Sequence, residues 1–500
     1  MTDNYTPERI ILVNIDGLRP DVFAAAFRNG EIPNLAGLVG GMNWRKGIQF
    51  DMVSTAPSIT FCCQASVVTG AHPSQHGITG NQFFDRFGRI SGQPRHYVYD
   101  IGGHRMAFGD TLNVFLKDLA SNSLNPDLPT LYEIASQHGV TSTVIYHMYG
   151  RGATSWIKPG IEDWRHFFTF NESMGISSEK YDETMVAAAI EHLRQGNRPG
   201  ILALYYWGLD HTSHVHGPSS QRPYLTKTLD PMLGKFITEY QAMGLMEDTL
   251  FVVFSDHGHI EVYEDLKHCL QLRFPPLDLG LGYVFKALKR DVLDMPGETK
   301  VDSVLSMNGG LAHLYVKRRT LLSKWTDPPR LEKDTLPLVA AFWEGTTTGR
   351  YCDDLYNALN MILVRDTERD GWNGPYQAYT PRGLVPLDEY LANRLNIRTV
   401  DPINRLNALS SPNSGDVLSF SNYDEGYYFS YPYKGIHGGM HPDDSRALLA
   451  YGLPGGTGEQ ATQLCQKISG AIDARCQTEN NRQITLADIA HGIKAAMGWL

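Results

Sequence analysis

Asp256-His257-Gly258 stands directly after the apolar run Thr249–Ser255, so a carboxylate and an imidazole sit side by side where a buried strand would end. Those are two ligand types for a divalent metal of hard to borderline character. The arrangement recurs along the chain. Asp16 ends the apolar run Ile10–Ile15, Asp210 and His214 follow the run Ile201–Trp207, and His437 occupies the glycine-rich turn Gly435-Ile436-His437-Gly438-Gly439. Two metals about 3.5–4 Å apart clamp both the attacking and the leaving oxygen of an in-line displacement at phosphorus. Such a site also needs a nucleophile. The segment Ser54–Gln64 offers hydroxyls just before a predicted helix over Phe61–Val68, whose N-terminus would aim N–H donors at a phosphate. On local chemistry Ser54, Thr55, Ser58 and Thr60 all stay open, because each is also a natural cap or turn residue.

Elements must bring these residues together. Apolar runs at Arg9–Ile15, Thr141–His147, Gly200–Trp207, Thr249–Ser255, Leu311–Val316, Met361–Arg365 and Ala447–Tyr451 read as strands. They show little alternation, as strands buried on both faces of a parallel sheet do. Helices are predicted at Thr130–His138, Glu179–Gln195, Pro223–Met243, Leu331–Trp343 and Leu486–Trp499. The repeated strand–helix order predicts a doubly wound α/β fold with a mostly parallel sheet, in which ligands bind beyond the carboxyl ends of strands. Asp16, Asp210 and Asp256 all fall at or just beyond such ends. Asp210 and His214, four apart on one helical turn, share a face. His437 competes with His441, and His211, His216, His259 and His268 read as supporting or ordinary polar residues rather than ligands. Arg19 reads as a structural ion-pair partner. Phe61 is expected to line a substrate slot, while Tyr205 and Tyr206 belong to the sheet core.

Five hundred residues, 42% of them hydrophobic, suffice for a large core. A formal charge of −10 with no long basic stretch makes a nucleic-acid polymer an unexpected partner. The N-terminal segment is polar, and no stretch reaches transmembrane length, so no membrane span is expected and the default residence is the cytoplasm, or the periplasm or outside if a presequence has been removed. Six cysteines with no CxxC are too few for a disulfide scaffold, and free thiols are expected, with Cys465–Cys476 the one conceivable bridge. Pro, Gly and Asp breaks cluster between about 270 and 420, including Pro275-Pro276 and Pro328-Pro329. The expected organisation is therefore a catalytic core over 1–270 and 420–500, with 271–419 an inserted cap from which Leu311–Val316 returns to the core sheet.

The ordered set of motifs resembles the alkaline phosphatase superfamily, and within it the nucleotide pyrophosphatase/phosphodiesterase branch. The resemblance rests on Ile15-Asp16-Gly17-Leu18-Arg19-Pro20-Asp21, Thr60-Phe61 with Ser66-Val67-Val68-Thr69-Gly70, His72-Pro73 with His76-Gly77-Ile78, and Gly80-Asn81. It continues through Asp210 with His214 and Gly217-Pro218, Ser255-Asp256-His257-Gly258, and Gly435-Ile436-His437-Gly438. It spans roughly 9–270 and 410–500. Pro129-Thr130-Leu131 and Gly309-Gly310-Leu311-Ala312-His313 fit more loosely. The family's usual Pro-Asn after the Thr-Phe pair is Cys62-Cys63 here.

The resemblance implies an alkaline-phosphatase-like fold and makes Thr60 the nucleophile. It implies that Asp16, Thr60, Asp256 and His257 hold one metal and Asp210, His214 and His437 the other. Asn81 and the Thr60 backbone N–H would donate to a phosphoryl oxygen. Zinc fits the mixed His/Asp set best, and manganese and iron suit it too. The implied reaction is hydrolysis of a small phosphate ester by double displacement through a phospho-threonine, with a phosphodiesterase or nucleotide pyrophosphatase expected first. The alternative is a phosphomonoesterase of the nucleotidase kind, or a phosphonate hydrolase. A sulfatase is disfavoured, because its C/S-x-P-x-R pattern is absent.

Overall fold

In the computed structural model, residues 5–100, 108–160, 178–270, 292–293, 301–350, 353–430 and 432–500 are described. The runs Ile201–Tyr206 and Thr249–Phe254 are buried at every position, which suits strands covered on both faces. They flank Arg9–Ile15 at the centre of an eight-stranded sheet. Its order is Ile484–Thr485, Gly47–Val53, Arg446–Gly452, Thr249–Phe254, Arg9–Ile15, Ile201–Tyr206, Ser142–Ile145 and Ser155–Ile157. The three central strands run parallel, in a register that pairs Ile15 with Tyr206 and Asn14 with Phe254. Their carboxyl ends are therefore level, and Asp16, Asp210 and Asp256 leave the sheet side by side. Arg446–Gly452 is antiparallel to both its neighbours, so the sheet is mostly rather than wholly parallel.

The predicted helices form at Leu131–Gln137, Ser178–Arg194, Asp230–Ala242, Leu336–Thr348 and Ala487–Met497. The first opens on a reciprocal cap between Thr130 and Glu133. Among the described residues no helix is long and apolar enough to cross a membrane. Cys62, Cys63, Cys269, Cys465 and Cys476 are free, so the Cys465–Cys476 bridge does not form.

A second sheet of seven strands lies between 292 and 421 and is almost entirely antiparallel. It corrects one expectation. Leu311–Val316 does not return to the core sheet. It forms a hairpin with Ser303–Asn308 across Gly309-Gly310, and its other edge takes Val417–Ser421. The tight glycine turn commits the strand to its preceding neighbour. Met361–Arg365 appears as Leu359–Val364 in the same sheet. The Pro275-Pro276 break lies outside the described residues.

The second sheet is anchored to the rest of the molecule by charge. Arg86 Nη2 lies 2.9 Å from Asp416 Oδ2, and both side chains are fully buried. The same Asp416 oxygen accepts from the Val316 N–H at 2.7 Å. Removing one partner of a buried ion pair strands the other charge. Asp416→Ala should lower the unfolding free energy by about 3–5 kcal/mol in urea titration. Asp416→Asn, which keeps an acceptor, should lose less.

Candidate active site

Each site residue comes from an element whose geometry follows from its sequence. Asp16 and Asp256 are delivered by the level ends of parallel strands. Gly208–His216 is a helix, so Asp210 and His214 stand one turn apart. Thr60 opens the buried helix Thr60–Thr69, which ends on Gly70 in the left-handed region. Gly435–Ile436 pairs with Ile260–Glu261, which carries His437 to the loop that holds His257 and His259. The second sheet fixes the His437 turn from the other side, with the Gly310 N–H donating to the His437 carbonyl at 3.1 Å. A Cβ on Gly309 would lie 1.7 Å from that carbonyl oxygen, so only glycine permits the approach.

Two groups of donors result. His257 Nε2 lies 3.2 Å from Thr60 Oγ1, 3.3 Å from Asp16 Oδ1 and 3.5 Å from Asp256 Oδ2. His214 Nε2 lies 3.2 Å from His437 Nε2 and 3.5 Å from Asp210 Oδ2, and His437 Nε2 is 3.6 Å from Asp210 Oδ1. His259 Nε2 is 2.7 Å from Asp210 Oδ1. Among the described residues, two clusters have ligand atoms mutually within 4.8 Å: Asp210, His214, His259 and His437, and Asp16, Asp210 and His257. Asp210 thus bridges them, and Asp256 approaches through His257.

The hydrogen-bond partners reveal what these groups require. His214 Nδ1 is 2.7 Å from the Gly435 carbonyl, His437 Nδ1 is 2.8 Å from the Ser58 carbonyl, and His257 Nδ1 is 3.0 Å from the Gly258 carbonyl. A carbonyl only accepts, so each neutral ring carries its proton on Nδ1 and turns the Nε2 lone pair inward. His214 and His437 therefore face each other lone pair to lone pair. His257 Nε2 points at carboxylate oxygens, and Asp16 Oδ1 and Asp256 Oδ2 are buried with no hydrogen-bond partner among the described residues. Acceptors converging on acceptors fit divalent cations, held as metal-binding histidines usually are, with the far nitrogen on a carbonyl. Burial, then the Asp256 and Asp210 charges, push the Asp16 carboxyl well up. Burial and the neighbouring His257 hold the His437 imidazole well below its ordinary range, so it stays neutral.

The site opens into a cleft of about 130 Å³ lined by Thr60, Phe61, Asn81, Tyr99, Trp207 and Tyr433 among others. Asn81 Oδ1 accepts from the Phe61 N–H at 2.9 Å, which leaves its amide protons for a ligand.

The family model for type I phosphodiesterase / nucleotide pyrophosphatase matches residues 10–324. The chain belongs to that family. Among curated relatives, the bis(5'-adenosyl)-triphosphatase of Pongo abelii is 23% identical over 292 residues, covering 56% of this chain and 53% of the relative. Family member 7 of the ectonucleotide pyrophosphatase/phosphodiesterases from Rattus norvegicus is 21% identical over 325 residues, 62% of this chain and 64% of the relative. The chain spans about half the length of the first of these. Among solved structures, human ectonucleotide pyrophosphatase/phosphodiesterase 5 shares the fold at TM-score 0.51 and 15% identity, covering 88% of this chain and 87% of that one. The murine protein, an inactive threonine-to-alanine variant in complex with AMP, gives 0.50 and 16%, covering 89% and 87%.

Within this phosphodiesterase-family chain, the structure gathers Asp16, Thr60, Asp210, His214, Asp256, His257 and His437, with Phe61 and Asn81 at the cleft. The competing hydroxyls are engaged elsewhere. Ser54 Oγ meets Cys63 Sγ, Thr55 bonds the Pro57 carbonyl, and Ser58 bonds the Gly439 carbonyl. His441 instead caps Pro442–Ser445, accepting from the Asp443 N–H. Arg19 pairs with Asp21, and Cys62, its thiol pushed up to about 12 by burial, is inert helix core. One neighbour went unforeseen. The Tyr205 hydroxyl donates to Asp16 Oδ2, although Tyr205 was expected only in the core. His259, expected as a supporting or ordinary polar residue, lies against Asp210. For Tyr205 the signal was register, since it pairs with Asn14, two residues before Asp16.

Because the folded-state pKa of Asp16 is raised, the metal-free native state binds a proton that the unfolded chain releases. That stability is complete below the ordinary carboxylate range and is lost as pH rises through the raised value. Buried neutral histidines such as His437 act in the opposite direction, losing stability as pH falls, so the Asp16 contribution is read as the difference between chelator-treated wild type and Asp16→Asn. The melting temperature of wild type relative to Asp16→Asn should be higher at about pH 5 than at about pH 8, and divalent metal should raise the wild-type melting temperature at the higher pH.

Proposed function

We propose that this chain hydrolyses phosphodiester or pyrophosphate bonds in small nucleotide-like substrates, using two divalent cations and Thr60 as nucleophile. The observation that carries the reading is Thr60 Oγ1, 3.2 Å from His257 Nε2 at the mouth of the cleft, among inward-facing lone pairs and carboxylates. Asp16, Asp256, His257 and Thr60 would hold one cation, and Asp210, His214 and His437 the other, with zinc best suited to the set. Bound there, the cations would lower the pKa of an oxygen nucleophile and offset charge on the entering and leaving oxygens. Thr60 Oγ1 forms a bond to phosphorus as the bond to the leaving oxygen breaks, which yields a phospho-threonine. Water then attacks the same phosphorus from the opposite side and frees Thr60. The Asn81 amide and the Thr60 backbone N–H at the start of helix Thr60–Thr69 donate to the non-bridging oxygens, where negative charge grows.

The cleft supports a diester over a monoester. Among its described lining residues there is no lysine or arginine, whereas Phe61, Tyr99, Phe115, Trp207 and Tyr433 present rings. A dianionic monoester needs an added positive contact, while a diester carries one negative charge and a second organic group. The rings offer flat apolar faces to a base or comparable aromatic group. The AMP bound by the murine relative is consistent with such an occupant.

Bis-p-nitrophenyl phosphate and p-nitrophenyl thymidine monophosphate should be hydrolysed with higher kcat/KM than p-nitrophenyl phosphate. A marked monoester preference would refute the diesterase reading. Thr60→Ala should reduce turnover by roughly 10³-fold or more, and Asn81→Ala by about 10²–10³-fold, chiefly in kcat.

A further inference from the structure

His259 is fully buried, and its Nε2 touches Asp210 Oδ1 at 2.7 Å, so position alone makes it a fourth donor beside Asp210, His214 and His437. Its other nitrogen argues differently. The imidazoles of His214, His257 and His437 each rest Nδ1 on a backbone carbonyl. His259 Nδ1 is buried with no hydrogen-bond partner among the described residues. A proton on that nitrogen would be a stranded donor, left with the full cost of its lost hydration. A proton on Nε2 instead makes a charge-assisted bond to the Asp210 carboxylate. The tautomer follows from the network, and it is the opposite of that in the other three rings. An Nε2 that carries hydrogen has no lone pair for a cation.

We propose that His259 is a positioning residue that donates Nε2–H to Asp210 Oδ1, pins that carboxylate, and stays outside the coordination sphere. The inference rests on the two-cation reading above and assigns a role to a residue which that reading does not use. Gly17 closes the contact from behind. It adopts φ +71°, and a Cβ there would lie 2.8 Å from His259 Nε2 and 3.0 Å from Asp210 Oδ1. Oδ2 of Asp210 remains turned towards His214 Nε2 at 3.5 Å. The Asp210/His214/His437 group thus has three protein ligands, the number that leaves a catalytic cation an open position for substrate, whereas a fourth would close it.

The test uses the full chain as wild type, His259→Gln and His259→Leu, each loaded with zinc. Gln places an amide N–H near the position of Nε2, and Leu removes the donor. X-ray absorption at the zinc edge counts imidazoles, competition against a chromophoric chelator gives affinity, and melting of the metal-free proteins tests folding. The imidazole count should stay that of wild type in both variants. Leu should weaken one of the two zinc affinities by about 10–100-fold, and Gln should recover most of that loss. A lower imidazole count in either variant, equal losses in Gln and Leu, or unchanged affinity in Leu would overturn the proposal. If the Leu variant does not fold, the imidazole count and affinity of the Gln variant decide. Wild type that takes up no metal would overturn the two-cation reading as well, whereas loaded wild type with a reduced variant count overturns this inference alone.

Discussion

Two imidazole nitrogens, His214 Nε2 and His437 Nε2, face each other at 3.2 Å. His214 and His437 have each committed their N–H to a backbone carbonyl, so both inward atoms are lone pairs. Beside them, carboxylates from three separate elements share a buried volume. Such an assembly repels itself unless positive charge enters. The surrounding structure holds the repelling groups in place. Level parallel strands deliver Asp16 and Asp256, a helical turn sets Asp210 below His214, and the short pairing of Gly435–Ile436 with Ile260–Glu261 brings His437 across.

The second sheet belongs to this constraint as much as the first. Its glycine hairpin presses against the His437 carbonyl, and Gly309 also lines the cleft. The buried Arg86–Asp416 pair ties that sheet to the segment following Asn81. A region that carries none of the proposed ligands thereby sets the position of one. Gly309-Gly310, only a loose motif match in the sequence, has a definite physical role as a point where backbone meets the His437 turn too closely for a side chain.

Much of the candidate site was legible because its residues sit at places that short-range patterns mark. An Asp at the end of an apolar run and a four-residue Asp–His spacing each have a local meaning, and the parallel strand order predicts where they meet. Choosing Thr60 over Ser54, Thr55 and Ser58 required the family resemblance, because the bonds that occupy the other three are local details of a buried turn. The fold was less legible where pattern is weak or long-range. Gly47–Val53 was not foreseen as a strand, since it is only partly buried and carries polar residues. Gly458–Thr478 was overlooked although Thr457 and Gln460 form a reciprocal cap ahead of its buried stripe of Ala461, Leu464, Ile468 and Ile472. The partner of Leu311–Val316 could not be read from its composition, since an apolar run looks alike in either sheet. His259 reads in the sequence as a supporting or an ordinary polar residue without a choice between the two, because the tautomer that distinguishes them exists only in the folded network.

The central claim is that these side chains converge to hold a pair of cations beside the Thr60 oxygen. The most direct measurement is a crystal structure of metal-loaded protein soaked with vanadate, with anomalous scattering recorded to locate the metals. The account predicts two metal peaks, one within ligand distance of Asp16, Asp256 and His257 and the other of Asp210, His214 and His437, with vanadium bonded to Thr60 Oγ1. A single peak, a metal bound away from these residues, or vanadium held by a group other than Thr60 would contradict it.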